Sequence, residues 1–220
     1  MIIEAIGFFH SPLKGKFGLP RQAGLAPDFC GEVRFVAPYD AEEAVRGLDG
    51  FDYCWLLWGF SLNANAGKSL TVRPPRLGGN VRVGVFASRS PFRPNSLGLS
   101  CVKLVKVSPG VLYVSGADLA DGTPVYDVKP YIPYADSRPE ARSGFVDTVE
   151  WTQMDVVIPA GVACLFAPGD LDALRQLLSQ DPRPQYHDDA DRVYGLTFAG
   201  FDVRFRVHSC KVFVLSAEKY

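Results

Sequence analysis

Short runs of β-branched and aromatic residues, bounded by turn-forming residues, dominate the N-terminal part of this 220-residue chain. Such runs predict short strands, because these side chains pack well on a pleated sheet. The predicted strands are Ile2–Phe9, Gly31–Val36, Tyr53–Phe60, Val81–Ala87, Leu99–Val107, Val111–Ser115 and Val125–Lys129. The segment Ser108-Pro109-Gly110 predicts a hairpin turn. One helix is expected among them, at Asp40–Leu48, with Asp40 as N-cap and Glu43 completing a capping box. Many strands with little helix predict a barrel or a sandwich.

The pattern changes after Pro139. Leucines at helical spacing predict a helix over Gly169–Gln180, preceded by a strand near Val156–Ile158. The prolines of Gln180–Pro184 end that helix. A terminal meander is predicted at Val193–Phe198, Phe201–Val207 and Val212–Leu215. We therefore predict a mainly β protein with two domains, a β-barrel at residues 1–138 and a small α+β C-terminal domain at 139–220.

The composition is that of a soluble protein with a real core, since 47% of residues are hydrophobic and 21% are charged. No apolar run reaches ~18 residues, so no transmembrane helix is expected. We also expect no signal peptide. Five scattered cysteines without a Cys-x-x-Cys pair favour a reducing, cytoplasmic environment over a disulfide framework. Three scattered histidines give no reason to expect a metal centre.

Charge is concentrated in one stretch, because residues 64–117 contain eight basic and no acidic side chains in a chain whose net charge is −1. The basic residues are Lys68, Arg73, Arg76, Arg82, Arg89, Arg93, Lys103 and Lys106. A patch of one sign attracts phosphates or another polyanion. The alternative is that these side chains are dispersed over a barrel and paired with distant carboxylates.

Two segments of the basic stretch suit ligand binding. The prolines of Arg73-Pro74-Pro75-Arg76 stiffen the backbone, so the flanking guanidinium groups need little ordering to bind an anion. The segment Ser88–Asn95 combines arginine, phenylalanine and asparagine, which suits stacking on a base and hydrogen bonding to its edge. For Phe92 a role in the core is equally compatible with the pattern.

Two carboxylates follow, at Asp118 and Asp121. Either one could accept hydrogen bonds from ribose hydroxyls or from a ligand amine, but aspartate before Gly122 is also a common turn residue. The chain has no Gly-x-Gly-x-x-Gly, Walker or Gly-x-Ser-x-Gly motif. Their absence argues against a Rossmann-type methyltransferase or dehydrogenase and against a serine hydrolase.

Several long motifs in order resemble the TsaA/TrmO family of tRNA methyltransferases, which act on threonylcarbamoyladenosine beside the anticodon. The motifs are Pro20-Arg21-Gln22, Thr71–Asn80, Gly84–Asn95, Asp118–Val125 and Asp127–Tyr131. The resemblance is dense over about residues 3–137 and continues through Gln180–Pro184 and the terminal hairpins. It implies an all-β barrel that binds S-adenosylmethionine and works as a homodimer, with the cofactor near the subunit interface.

The resemblance also implies a set of cofactor-binding positions. These are Pro20, Arg21, Gln22, Ser61, Leu62, Arg89, Leu99, Asp118, Leu119, Ala120 and Asp121. One dipeptide departs from the family, which often has His-Gln where this chain has Ser61-Leu62 after Phe60. If the family dipeptide uses its side chains, those contacts are changed here, whereas backbone contacts could survive.

The implied chemistry needs no activated protein nucleophile, since a sulfonium methyl is already electrophilic and the enzyme chiefly places the acceptor nitrogen in line with it. Arg89 or Arg93 is predicted to support negative charge on that nitrogen or to hold the threonyl carboxylate. Tyr131 is a candidate for orienting the carbamoyl group. The cations predicted to steer the tRNA anticodon loop are Lys68, Arg73, Arg76 and Arg82. The alternative function is a β-barrel module that binds RNA or a nucleotide without catalysis.

Overall fold

The computed structural model describes residues 2–63, 69–77, 80–148, 152–183 and 189–220. The strands are β1 Gly7–His10, β2 Leu13–Lys14, β3 Cys30–Phe35, β4 Tyr53–Gly59, β5 Thr71–Val72, β6 Val83–Gly84, β7 Leu97–Ser108, β8 Val111–Ser115, β9 Thr123–Pro130, β10 Asp155–Val157, β11 Tyr194–Phe198, β12 Phe201–His208 and β13 Lys211–Lys219. The helices are α1 Glu42–Val45, α2 Pro133–Asp136, α3 Ala160–Ala163 and α4 Pro168–Ser179.

Six strands close into a barrel in the order β1-β3-β8-β7-β4-β9, and every neighbouring pair is antiparallel. Alternate side chains point inward, so Phe9, Leu56, Trp58 and Leu112 pack in one buried core. Closure leaves no open strand edge in this sheet. The predicted mainly β barrel is therefore confirmed, as is the tight hairpin between β7 and β8.

Three predicted elements differ in the structure. The helix predicted at Asp40–Leu48 is only the four-residue α1, whose N-cap is Ala41 without a side-chain hydrogen bond. The capping box at Asp40 was therefore wrong, and Gly47, with φ +83°, marks the departure from helical backbone. The strand predicted at Val81–Ala87 keeps only the two residues of β6 and continues as a 3₁₀ turn. The first strand begins at Gly7 rather than at Ile2.

A second sheet contains β10, β13, β12, β11 and β2 in that order. The predicted helix α4 and the predicted meander β11–β13, which form the end of the chain, are confirmed. Leu174 and Leu177 of α4 pack with Phe205 of β12 in a second buried core. The edge strand β2, however, comes from the connection between β1 and β3. The C-terminal sheet thus holds part of an N-terminal loop.

Three residues of that loop, Leu13, Ala26 and Phe29, are fully buried in the second core. The loop is consequently packed between the barrel and the C-terminal sheet. Among the described residues, no helix is long and apolar enough to cross a membrane.

Candidate functional site

All the long connections of the barrel but one lie at the same end. Because neighbouring strands are antiparallel, β1, β4 and β8 end at the rim where β3, β7 and β9 begin. The three connections at this rim are residues 11–29, 60–96 and 116–122, which together are called the loop rim. A rigid barrel that carries loops from three parts of the chain around one mouth is a common scaffold for a functional site.

The predicted cofactor residues gather at this rim. Those on its three loops are Pro20, Arg21, Gln22, Ser61, Leu62, Arg89, Asp118, Leu119, Ala120 and Asp121. Leu99 lies nearby on the outer wall, in β7. Since the side chains of Pro20, Leu119 and Ala120 are buried, those residues can offer a ligand their backbone rather than their side chains.

A hydrogen bond joins two of the loops. The guanidinium of Arg89 donates from Nη1 to Oε1 of Gln22 over 2.5 Å. The positive charge of Arg89 also acts on the Asp118 carboxylate, where it offsets part of the rise in pKa that burial causes. Arg89 and Gln22 are therefore in direct contact, and Asp118 lies within electrostatic reach of Arg89. This cluster combines residues from all three loops, although they are far apart in the sequence.

Asp118 is partly buried, and its carboxylate is hydrogen-bonded to a residue of the barrel interior. The Ser100 hydroxyl donates to Asp118 Oδ1 over 2.5 Å, and Trp58 Nε1 donates to Ser100 Oγ over 2.9 Å. Burial raises the pKa of Asp118 above its ordinary range, and the hydrogen bond from Ser100 and the charge of Arg89 offset only part of that effect. A carboxylate of this kind is a strong acceptor for a hydroxyl or ammonium donor.

Asp121 is engaged in a different way. Its Oδ1 accepts from the Ser11 backbone N–H over 3.0 Å, and its Oδ2 accepts from Lys14 Nζ over 2.8 Å. Burial raises the pKa of Asp121, but the hydrogen bonds from Lys14 and Ser11 and the charges of Lys14 and His10 lower it by a larger amount. The pKa of Asp121 therefore lies below its usual range. Both carboxylate oxygens thus tie the 116–122 loop to the start of the 11–29 loop.

Arg21 points toward the C-terminal domain. Its Nη2 donates to the backbone carbonyl of Asp181 over 3.2 Å. Beside it is a cavity of about 360 Å³, lined by Phe17 and Leu19 from the loop and by Leu177 and Gln180 from the C-terminal domain. Neighbouring residues Arg21 and Gln22 therefore face different partners, one the C-terminal domain and the other Arg89.

Ser61 and Leu62 form a 3₁₀ turn directly after β4 and are exposed. The Asn63 backbone N–H donates to the Phe60 carbonyl over 3.0 Å and closes the turn, and Lys16 Nζ donates to Asn63 Oδ1 over 3.0 Å. The departure from the family's His-Gln pair consequently lies at the loop rim, where its side chains face solvent.

Arg93 is tied to its own loop, because Nη1 donates to the carbonyls of Ser88 over 3.0 Å and Ser90 over 3.4 Å. It also lines a cavity of about 330 Å³ on the outer wall, together with Phe86 and Leu99. Phe86 is 78% exposed and Leu99 is 58% exposed, so this wall presents apolar surface.

The predicted tRNA-binding cations are only partly described. Arg73 and Arg82 are exposed, and Arg82 Nη1 donates to Thr71 Oγ1 across the small β5–β6 ladder. The backbone of Arg76 lies in a 3₁₀ turn at Pro75–Leu77, and its side chain is not described. Lys68 lies outside the described residues. The two described arginines belong to the 60–96 loop, and thus to the loop rim.

Tyr131 lies at the opposite end of the barrel. It follows β9, its N–H donates to the Tyr53 carbonyl, and its ring contacts Tyr53 and Trp55 at centroid distances of 6.2 and 5.9 Å. Strand β4 runs from Tyr53 to the rim at Gly59, a length of about 20 Å. Within one subunit the structure does not bring Tyr131 to Arg89.

Sequence reasoning missed Ser100 and Trp58. Strand alternation offered a signal, since Ser100 occupies an inward position between Gly98 and Val102, where a polar residue needs a partner. The partner could not be identified, because Asp118 reaches Ser100 from a loop beyond the next strand. No cluster of metal-ligating side chains occurs within the described ranges.

Comparison with known proteins gives this site its context. The model of the tRNA-methyltransferase O N-terminal domain matches residues 8–137, and the TrmO C-terminal domain matches residues 167–220. A tRNA (adenine(37)-N6)-methyltransferase of Escherichia coli K12 is 42% identical over 216 residues, covering 93% of this chain and 92% of that protein. A protein of Homo sapiens with the same name is 40% identical over 149 residues, covering 67% of this chain and 34% of that protein.

A crystal structure of TrmO from Pseudomonas aeruginosa superposes with a TM-score of 0.81 at 32% identity, covering all of this chain and 97% of that one. The fold and these relatives thus define the class of this protein as a β-barrel methyltransferase with an α+β C-terminal region. Within that class, the chain belongs to the tRNA-methyltransferase O family. The family expected from the motifs is confirmed.

Proposed function

We propose that this protein transfers a methyl group from S-adenosylmethionine to N6 of the adenosine beside the anticodon of tRNA, with threonylcarbamoyladenosine as the substrate nucleoside. The observation that carries the proposal is the cluster of Arg89, Gln22 and Asp118, assembled from three loops at one barrel mouth. The names of the Escherichia coli and human relatives, which specify adenine 37 and its N6 atom, support the position of methylation.

The residues at the loop rim suit S-adenosylmethionine, the cofactor named for relatives of this chain. This molecule carries an ammonium group, a carboxylate, ribose hydroxyls and an adenine ring. Asp118 offers a partly buried acceptor for a hydroxyl or ammonium donor, and the exposed guanidinium of Arg89 can pair with a carboxylate. When bound, the cofactor supplies a methyl group on a sulfonium, which is electrophilic without further activation.

The protein's task is then to hold the acceptor nitrogen and to stabilise negative charge near it. A carbamoylated N6 is a poor nucleophile that gains reactivity when its proton is lost, and a fixed cation favours the resulting anion. The exposed guanidinium of Arg89, which is anchored by Gln22, supports this role for Arg89. Arg93 is held by the carbonyls of Ser88 and Ser90, which favours a role in shaping the loop that carries Arg89.

The tRNA is proposed to approach over the 60–96 loop. Arg73 and Arg82 are exposed there, no acidic residue occurs between positions 64 and 117, and phosphates are attracted to such a stretch. Lys68 and Arg76 belong to the same proposal on sequence grounds.

We further propose a homodimer, formed through the outer wall at Leu57, Phe86 and Leu99. The support is apolar surface on this wall, next to the cofactor residues. Tyr131 could contribute to a substrate site at Arg89 only from a second subunit, since it lies at the other end of its own barrel. Phe86→Asp should convert the dimer to a monomer in light scattering, whereas Phe51→Asp, at the opposite rim, should not. A monomeric wild type would contradict the proposal.

The deciding experiment incubates the purified protein with S-adenosylmethionine and tRNA that carries threonylcarbamoyladenosine, followed by mass spectrometry of the nucleosides. We expect a gain of one methyl on the modified nucleoside, strongly reduced for Arg89→Ala and unchanged for Arg46→Ala, an exposed arginine near the opposite rim. Cofactor binding without methylation of any tRNA would reject the substrate. If calorimetry shows no cofactor binding, the alternative of a non-catalytic RNA- or nucleotide-binding module is favoured. The exposed Ser61-Leu62 turn, which departs from the family's His-Gln pair, is the feature that supports this alternative.

We also propose a cytoplasmic location, which fits the five free cysteines.

A further inference from the structure

The hydroxyl of Ser100 lies between a buried tryptophan and a carboxylate of the site. Trp58 Nε1 is 2.9 Å from Ser100 Oγ, and Ser100 Oγ is 2.5 Å from Asp118 Oδ1. An indole N–H can only donate a hydrogen bond. Ser100 must therefore accept from Trp58, and its single hydroxyl proton is left to point at Asp118.

This arrangement fixes the state of one carboxylate oxygen. Because Ser100 donates to Oδ1, that oxygen must act as an acceptor and cannot itself carry a proton directed at Ser100. The two consecutive hydrogen bonds, from Trp58 to Ser100 and from Ser100 to Asp118, are called the relay. The relay is shielded from water, since Ser100 is 2% exposed and Trp58 is 6% exposed. Both lie on strands of the closed barrel, β4 and β7, so the relay is more rigid than the loop that carries Asp118.

The surroundings of Asp118 act in the same direction. Arg89 contributes a positive charge from the 60–96 loop, and the backbone N–H groups of Ala23 and of Asp118 itself favour the ionised form. These groups come from every loop of the rim. Burial opposes them, so the ionised carboxylate depends on its donors.

We propose that Ser100 and Trp58 are positioning residues, which hold Asp118 as an ionised acceptor for a hydrogen-bond donor of the bound cofactor, either its ammonium group or a ribose hydroxyl. This rests on the proposed function, in which the cofactor binds at the loop rim. Neither positioning residue touches the cofactor. They act through Asp118, by orienting its carboxylate and by opposing its protonation.

The test is the affinity for S-adenosylmethionine, measured by calorimetry from about pH 4 to about pH 9. For the wild type, binding weakens below the pKa of Asp118. Ser100→Ala removes a donor to the carboxylate, so its pKa rises and this weakening moves to higher pH. At low pH the variant should bind about ten-fold more weakly than the wild type, and the difference should shrink as the pH rises.

Trp58→Phe is the second variant, because it leaves Ser100 in place but frees its hydroxyl to rotate. It should shift the pH dependence in the same direction by a smaller amount. Ser115→Ala, a buried serine on β8, and Trp55→Phe, near the opposite rim, are matched controls that should leave the pH dependence unchanged. Thermal melting of each variant separates folding defects from this effect.

The nature of the donor is resolved with methylthioadenosine, which keeps the ribose and lacks the amino acid group. A Ser100→Ala defect that persists with this probe identifies a ribose hydroxyl, and a defect seen only with the full cofactor identifies the ammonium group. An equal loss of affinity at every pH, or no loss, would overturn the relay. A wild type that binds no cofactor would instead reject the proposed function on which the relay rests.

Discussion

Gly98 on β7 leaves the space that the buried indole of Trp58 occupies. A Cβ placed on Gly98 would lie 2.3 Å from Cε2 and 2.5 Å from Cζ2 of Trp58. Carbon atoms in favourable contact are ~3.5–4.0 Å apart, so Gly98→Ala requires the two groups to separate by at least about 1.2 Å. We expect this substitution to destabilise the barrel.

The magnitude follows from how firmly both groups are held. Gly98 and Trp58 are directly paired in the β4–β7 ladder, and the indole is also bonded to Ser100. Neither can move without disturbing the ladder or the relay. Overpacking of this kind costs about 2–3 kcal/mol, which corresponds to a lowering of the melting temperature by roughly 4–12 °C for a chain of this size.

The assay is thermal and urea unfolding of Gly98→Ala, Trp58→Phe and the double variant. A phenylalanine ring is smaller than the indole, so the double variant should be more stable than the sum of the single effects by about 1 kcal/mol or more. Gly50→Ala is the control, since its Cβ would meet no atom within 4 Å, and it should change stability by less than about 0.5 kcal/mol. Strictly additive effects would refute the proposed steric conflict.

Three further predictions concern charge and reactivity. Arg73→Glu should weaken tRNA binding, reduce its salt dependence and leave cofactor affinity unchanged in filter-binding and calorimetric assays; equal losses in both would contradict the assignment. Asp121→Asn should lower the urea midpoint at neutral pH. Because the fold lowers the pKa of Asp121, that difference should be complete above about pH 4 and vanish as the pH falls through the folded-state pKa. Burial raises the pKa of Cys54 to about 12, so its thiol should react with a disulfide reagent only after unfolding, unlike the exposed Cys164 and Cys210.

Local patterns located most of the strands, because their side chains alternate and turn residues bound them. Val111–Ser115 has the predicted bounds, and the helix α4 differs by one residue at each end. The prediction of a longer helix at Asp40–Leu48 was wrong because its length depends on tertiary packing. Only Val45 of α1 is buried, and a helix of four residues is long enough to bury it. Periodicity alone does not reveal how long an amphipathic segment must be.

The candidate site residues were recognisable as parts of motifs, but their arrangement in space was not predictable. The sequence shows Gln22, Arg89 and Asp118 in three separate segments, and only the antiparallel order of the barrel brings those segments to one rim. The same order separates Tyr131 from them, although it belongs to a neighbouring motif. Charge counting identified the 60–96 loop as basic, yet it could not distinguish Arg93, which binds its own loop, from the exposed Arg73.

The 11–29 loop connects the C-terminal domain to the site. β2 pairs with β11, Phe29 is buried in the C-terminal core, and Arg21 binds the Asp181 carbonyl, while the next residue, Gln22, accepts a hydrogen bond from Arg89. A loop that is held on both sides loses little conformational entropy when a ligand binds, because folding has already ordered it. The C-terminal domain therefore fixes the loop that presents Gln22 to Arg89. In the proposed function it would thereby affect cofactor binding without contacting the cofactor.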